Sequence, residues 1–454
     1  MMSALPDGPL VAFYGDDYTG SAAVMDVLSA AGLPTVLFLD IPKPAELARF
    51  RGYRGIGIAG IARSRDPVWM DRHLPPVFAA LAATEAPIAH YKTCSTFDSS
   101  PEIGSIGRAI DIGAAMFGGD WTPLVVAAPA LGRWQVFGNL FAVSNGAPHR
   151  LDRHPSMSRH PVTPMDEADL GRHLARQTAR RIGLVDFLAL QSGGGDVALA
   201  ATLADGAQIV SLDAVDEATL AEAGRLIWQN RDAVRFTVGS QGIEYALVAH
   251  WRAAGLLPAV PQPLRMEAVS RIVAVSGSCS PVTAEQIVHA GGQGFRCIPI
   301  DATQAVDAKA WQRETARATA AALQALGEGF DPLVHTALGP DDPAVAALRE
   351  AVRSSGVSMG DVNDRIGTGL GTLLRDVLRE TGLTRGVIAG GDTSGHAVQA
   401  MGVRALTALA SLAPGSGLCR AFTDNPDAAE LELALKGGQI GAVDFFSTLR
   451  CGNF

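Results

Sequence analysis

The sequence predicts an α/β protein of two domains, each a mainly parallel sheet flanked by helices, with an active site in the interdomain cleft. Three observations carry this expectation. Short β-branched runs alternate with amphipathic stretches along the first half, the pattern of βαβ units. Two acidic glycine turns, Gly15-Asp16-Asp17-Tyr18-Thr19-Gly20 and Gly390-Gly391-Asp392-Thr393-Ser394-Gly395, each follow an apolar run and open a helical pattern. Three prolines fall within residues 255–264, the strongest linker signal in the chain.

In order, strands are expected at 11–14, 35–39, 55–59, 89–92, 124–128, 183–187, 208–212 and 235–238. Helices such as 21–31 and 106–116 lie between most of them, and a helix over 241–254 closes the half. Residues 150–164, with two histidines and three prolines, read as a long ordered loop. A second unit starts with a strand at 271–275, followed by strands at 296–300, 333–336 and 387–389 and helices at 308–326 and 365–381. The expected organisation is a first domain over 1–254, a linker over 255–270 and a second domain over 271–454.

A chain of 454 residues exceeds one ordinary core. Glycine, at 50 of 454 or about 11%, exceeds the usual ~7% and points to many tight turns. The net charge of −9 gives no basic footprint, which argues against nucleic acid as a partner. No apolar run reaches the ~18 residues of a membrane span, and the first residues lack a signal-peptide pattern, so a cytoplasmic protein is expected. Five scattered cysteines make no CxxC pair, so neither a zinc site nor a disulfide framework is indicated. The irregular spacing of His149, His154 and His160 is a poor match to a metal site.

Several strand ends carry chemistry. Asp16 and Asp17 follow an apolar strand at a helix start, where carboxylates either cap the helix or contact a substrate hydroxyl. Arg63 and Arg65 bracket a serine after the third strand and can hold a carboxylate. Lys92 ends the fourth strand, and Asp98 and Ser99 follow in a polar run that leads to a helix start at Gly107. Between the candidate bases, Asp17 is preferred to Asp98 because it lies closer to its strand. In the second half, Ser276 and Ser278, the turn from Gly390 to Ser394, Gly415 and Gly438 all belong to turns able to cradle phosphate through backbone N–H groups. Neither a GxxxxGK[ST] nor a GxGxxG pattern is present.

Taken together, GDDYTG (15–20), ARSR (62–65), YKTCSTFDSS with GSIG (91–107), SGSCS (276–280), GGDTSG (390–395) and KGGQIG (436–441) resemble the four-carbon acid sugar kinase family over nearly the whole chain. The resemblance implies ATP-dependent phosphorylation of a hydroxyl on a small sugar acid. The stretches 130–142 and 150–170 resemble a subgroup acting on a branched acid of the 3-oxo-isoapionate type, beside tetronate and 3-oxo-tetronate types. It further implies that Asp16, Asp17, Arg63, Arg65, Lys92, Asp98, Ser99 and Gly107 serve the acid. On the same basis Ser276, Ser278, Gly390, Gly391, Asp392, Thr393, Ser394, Gly415 and Gly438 serve the nucleotide, with Asp392 catalytic and the candidate Mg²⁺ ligand. A homodimer is the candidate assembly. The competing classes are a non-catalytic sugar-acid sensor, which would need only the first domain, and a dinucleotide-dependent oxidoreductase, which lacks its fingerprint here.

Overall fold

Continuous apolar runs of four or five residues form the strands, because a parallel sheet covered on both faces buries every side chain. The computed structural model describes residues 4–144, 146–160, 162–258, 266–413, 416–423 and 430–452, with the side chains of Asp392, Ser411 and Ala413 left aside. The chain divides into two compact units, Met1–Gln262 and Pro263–Phe454. Residues 259–265 of the proline-rich segment lie outside the described residues.

The strands of the first unit are β1 (Val11–Gly15), β2 (Thr35–Phe38), β3 (Gly55–Ala59), β4 (Ile88–Lys92), β5 (Thr122–Val125), β6 (Arg133–Val136), β7 (Asn139–Ser144), β8 (Ala147–Arg150), β9 (Ile182–Val185), β10 (Ile209–Leu212) and β11 (Phe236–Gly239). Eight of them pair in the order β2-β3-β1-β4-β11-β5-β10-β9, every pair parallel. The chain leaves β1 toward β2 on one side and leaves β4 toward β5 on the other. The carboxyl ends of β1 and β4 therefore flank a topological switch point, where open α/β sheets bind ligands. Helices Pro67–Ala82 and Ile106–Phe117 cover one face. There Phe78 lies 6.4, 6.2 and 5.6 Å from the rings of Tyr14, Tyr91 and Phe236. A Cβ on Gly113 would fall 2.2 Å from Phe236, so only glycine lets helix Ile106–Phe117 approach so closely.

The segment between β5 and β9 departs from the expected alternation. β6, β7 and β8 form a separate antiparallel sheet. Residues 151–159 carry two short 3-10 turns, Leu151–Arg153 and Met157–Arg159. His154 Nδ1 accepts from the N–H groups of Ser156 and Met157 at 3.2 Å each, and His160 Nδ1 accepts from Thr163 N–H at 3.1 Å. Those lone pairs cap turns, and the described residues contain no cluster of His, Cys, Asp or Glu fit to hold a metal.

The second unit contains β12 (Val273–Ser276), β13 (Phe295–Pro299), β14 (Asp331–His335), β15 (Arg385–Ala389), β16 (Val403–Ala413), β17 (Ser416–Thr423) and β18 (Leu431–Lys436). Their order is β13-β14-β12-β15-β18-β17-β16. The first five are parallel, whereas β17 runs antiparallel to both β18 and β16. Gly415, expected in a phosphate-cradling turn, lies outside the described residues. Helix Met359–Thr381 crosses helix Gly391–Ala400 at Gly371, where a Cβ would meet the Ala397 carbonyl at 2.3 Å. Among the described residues no helix is long and apolar enough to cross a membrane.

Candidate active site

At the end of β1 the two aspartates separate by task. Asp17 is extended (φ −141°) and caps helix Tyr18–Ala30, accepting the Gly20 N–H at 2.7 Å. Its other oxygen accepts Arg63 Nη1 at 3.1 Å. Asp16 is tied through its backbone, its N–H donating to the Lys92 carbonyl at 3.0 Å and its carbonyl accepting the Arg63 N–H at 3.1 Å. The Asp16 side chain is 3% exposed, and its Oδ1 has no hydrogen-bond partner. Burial first, and the charge of Asp17 second, push its carboxyl up to about 7 against the pull of Lys92 and Arg63.

β4 brings the cation. Lys92, 2% exposed, lays its side chain against the start of helix Tyr18–Ala30, its Nζ 2.3 Å from where a Cβ on Gly20 would stand. No acceptor among the described residues lies within hydrogen-bond reach of Nζ. The following loop is braced by Asp98. Arg63 donates to its Oδ2 from Nε at 3.0 Å and Nη2 at 2.6 Å, and Thr96 Oγ1 donates to Oδ1 at 2.6 Å. Burial raises the Asp98 carboxyl, but Arg63 and Thr96 outweigh it and hold it below the usual carboxylate range. Phe97 turns this loop with a left-handed φ of 54°, and its ring is wholly buried.

The structure thus brings Asp16, Asp17, Arg63, Lys92 and Asp98 together at one sheet edge. Arg65 stands beside them, its guanidinium 5.9 Å over the Trp69 ring and its Nε without an acceptor. Two expected binding residues point elsewhere. Ser99 Oγ donates to the Phe97 carbonyl at 3.0 Å, meets His173 Nε2 at 2.9 Å and accepts Gln177 Nε2 at 2.9 Å. Gly107 donates its N–H to Gln177 Oε1 at 3.2 Å and packs so closely on that residue that a Cβ would fall 2.5 Å from its backbone. Both serve packing because the helix start is filled by Gln177. Of the expected base Asp17, cap and ion pair occupy both oxygens, whereas Asp16 Oδ1 has no hydrogen-bond partner. Arg63 in turn is spent on two carboxylates and cannot offer a substrate its fork.

In the second unit three turns converge at the ends of β12, β15 and β18. A Cβ on Gly277 would lie 2.3 Å from Thr393 Oγ1, one on Gly390 (φ 127°) 2.9 Å from the same atom, and one on Gly438 2.9 Å from Ser278 Oγ. Ser276 Oγ accepts the Ser278 N–H at 3.3 Å, and Ser278 Oγ donates to Thr283 Oγ1 at 3.1 Å. Ser394 returns its hydroxyl to the Gly390 carbonyl at 2.6 Å, within its own helix. Gly391 begins that helix; the Asp392 side chain lies outside the described residues. Ser280, at the start of helix Pro281–Gly291, keeps a solvent-inaccessible Oγ without a partner. Lys436, which opens the KGGQIG motif but is not among the expected site residues, ends β18 as Lys92 ends β4. Its Nζ holds Thr283 Oγ1 at 2.8 Å and the Gly437 carbonyl at 3.1 Å, and burial lowers it to about 8. A bare glycine cradle, a helix N-terminus and an unpartnered hydroxyl fit a phosphate group.

The family descriptions of a sugar-binding N-terminal domain and a nucleotide-binding C-terminal domain match residues 11–247 and 273–446. A 3-oxo-isoapionate kinase of Paraburkholderia graminis is 51% identical over 99% of this chain and 96% of its own. This chain belongs to the four-carbon acid sugar kinase family. A 3-oxo-tetronate kinase of Cupriavidus necator is 31% identical over 96% of each chain. A crystal structure of a Salmonella typhimurium LT2 protein superposes with a TM-score of 0.78 at 25% identity, covering 96% of this chain and 98% of that one. Within the family fold, the buried carboxylate and cation of the first unit lie in the sugar-binding match, and the glycine cradle lies in the nucleotide-binding match.

Proposed function

We propose that this chain is an ATP-dependent kinase that phosphorylates a hydroxyl of a small sugar acid, in the class of 3-oxo-isoapionate and 3-oxo-tetronate. The observation that carries this reading is the buried pair at the β1 and β4 ends: Lys92 Nζ without an acceptor near Asp16 Oδ1 without a donor. Unsatisfied buried polar groups are costly unless a ligand completes them. A hydroxy acid supplies both complements, a carboxylate for the ammonium and a hydroxyl for the carboxylate. The relatives' names point the same way.

In the reaction, Asp16 orients the acceptor hydroxyl and takes its proton as the new O–P bond forms and the bond from the γ-phosphorus to the bridging oxygen breaks, ADP leaving. A loose phosphoryl-transfer transition state asks little of a base, so orientation is the larger part of that role. Arg63 keeps Asp17 and Asp98 in place, and Arg65 is a further cation for the acid. The turns at Ser276–Ser280, Gly390–Thr393 and Gly438 hold the nucleotide's phosphates through backbone N–H groups. ATP supplies the phosphoryl group, and Asp392 is the residue that would hold Mg²⁺, which would neutralise the phosphate charge. Such a reaction belongs in the cytoplasm, where ATP is abundant.

The test is coupled ADP release over a panel of tetronates, 3-oxo-tetronates and apionate-type acids. Acid-dependent ADP release is expected. ATP hydrolysis indifferent to every acid, or no turnover with any, would overturn the reading.

A further inference from the structure

We propose that Arg133 is a specificity-determining residue that, with Lys92, binds the carboxylate of the acid beside Cys94. The inference rests on the kinase reading above.

Arg133 opens β6, the first strand of the small sheet inserted after β5. Its backbone is clamped to Ala128, just beyond the carboxyl end of β5: Ala128 N–H donates to the Arg133 carbonyl at 3.0 Å, and Arg133 N–H donates back at 3.2 Å. Gly132, left-handed at φ 66°, makes the tight return. Arg133 Nη1 donates to the Leu131 and Gly132 carbonyls at 3.2 and 3.1 Å, which fixes the plane of the guanidinium. Its Nε is shut off from solvent and has no acceptor. Among the described residues no carboxylate pairs with it.

The ionisable groups that feel this charge are Cys94 and His154. Neither is an anion at neutral pH. Burial raises the Cys94 thiol against the pull of Arg63, and burial lowers the His154 imidazole. Cys94 also lies in the fields of Arg63 and Lys92. Arg133 thus shares with Arg63 and Lys92 the electrostatic neighbourhood of one neutral thiol, which also feels the carboxylates of Asp98 and Asp17. Arg63 already carries two carboxylates, which leaves Lys92 and Arg133 without a bonded anion. A partly desolvated guanidinium lacking a counter-ion calls for one from a ligand. The ammonium offers a point charge and the guanidinium a directional fork, so the pair fixes both the place and the orientation of a carboxylate. Because Arg133 sits on an inserted sheet rather than on the parallel strands, the fork can be set for one acid without disturbing the fold.

Arg133→Met and Arg133→Lys in the full chain decide the matter. Arg133→Met should raise the acid KM by roughly 10- to 150-fold, the loss of one charge-assisted contact, with the ATP KM within about twofold of the parent's. Arg133→Lys should recover part of the loss and shift the ranking of acids in the panel. Calorimetry with a tetronate in place of turnover should show the same loss of affinity. An acid KM and tetronate affinity in Arg133→Met within about twofold of the parent's would overturn the proposal. Absence of turnover in the parent would instead sink the kinase reading, and the calorimetric comparison would still decide Arg133.

Discussion

Arg63 grips Asp98 through two nitrogens on one oxygen, Nε at 3.0 Å and Nη2 at 2.6 Å. The Asp98 side chain is 1% exposed and that of Arg63 31%, so the carboxylate depends on the guanidinium far more than the reverse. Arg63→Met should lower the stability of the first unit by roughly 2–4 kcal/mol, because it strands a buried charge. Calorimetric melting should show this while ADP affinity is retained. The pH dependence follows from the sign of the Asp98 shift. A carboxyl depressed in the folded state contributes stability above its unfolded pKa of ~3.9 and loses it as pH falls through the folded value. The difference between parent and Arg63→Met should therefore shrink below about pH 4.

Asp16→Asn should lower kcat by roughly 10²–10⁴ with ADP binding intact. The Asp16 carboxyl titrates near 7, and only its ionised form can accept a proton. Activity should accordingly rise with pH through about 7 and level off above it, and this limb should vanish in Asp16→Asn. Asp17→Asn keeps a good cap and loses only the Arg63 pair, so its single-turnover rate should fall less than about tenfold. The reverse ranking in a rapid-quench experiment would return the base to Asp17.

Ser99→Ala should act on folding. The substitution leaves His173 and Gln177 without their shared partner, at a cost of about 1–3 kcal/mol. Denaturant titration should show that loss, while the acid KM stays within about twofold. A large rise in KM with unchanged stability would place the hydroxyl on the substrate.

Gly438→Ala should weaken ADP binding and spare the acid. The added methyl would stand 2.9 Å from Ser278 Oγ and 3.1 Å from Ser280 Cβ, inside the proposed phosphate cradle. A loss of tenfold or more in ADP affinity is expected by calorimetry. An unchanged affinity would move the phosphates away from the β18 turn.

The parallel strands other than β18 are legible in the sequence because each is a short apolar run between turn signals; the run 55–59 coincides with Gly55–Ala59 to the residue, whereas β18, its run broken by Glu432, is not among the strands expected. The antiparallel strands are not. β6 contains Arg133 and Gln135 and is only half-buried, so it lacks the apolar run; β7 has one at 140–143, but it pairs in a small antiparallel sheet that leaves alternate residues half-buried. β16 is rich in alanine, which favours helices in isolation and forms a strand here by tertiary pairing with β17. At the candidate site, residue type and strand-end position single out Asp16, Asp17, Arg63, Lys92 and Asp98, which the fold gathers at one sheet edge. They cannot reveal which oxygens are already taken. That depends on contacts such as Arg63 with Asp98, 35 positions apart, and Gln177 with Ser99, 78 apart. Lys436 carries a readable signal, a lysine closing an apolar strand before two glycines.

The strand order also sets when the acid site comes into being during synthesis. β11 lies between β4 and β5, and the Gly239 carbonyl accepts the Thr93 N–H at 2.7 Å, anchoring the loop that carries Cys94 to Asp98. Translation reaches Gly239 only after β4 has been made; at ~5–20 residues per second, the interval is roughly 7–30 s. During that time the apolar flank of β4 has no neighbour on one side. A ribosome stalled before Phe236 would hold a chain whose carboxylates are all made and whose pocket is not.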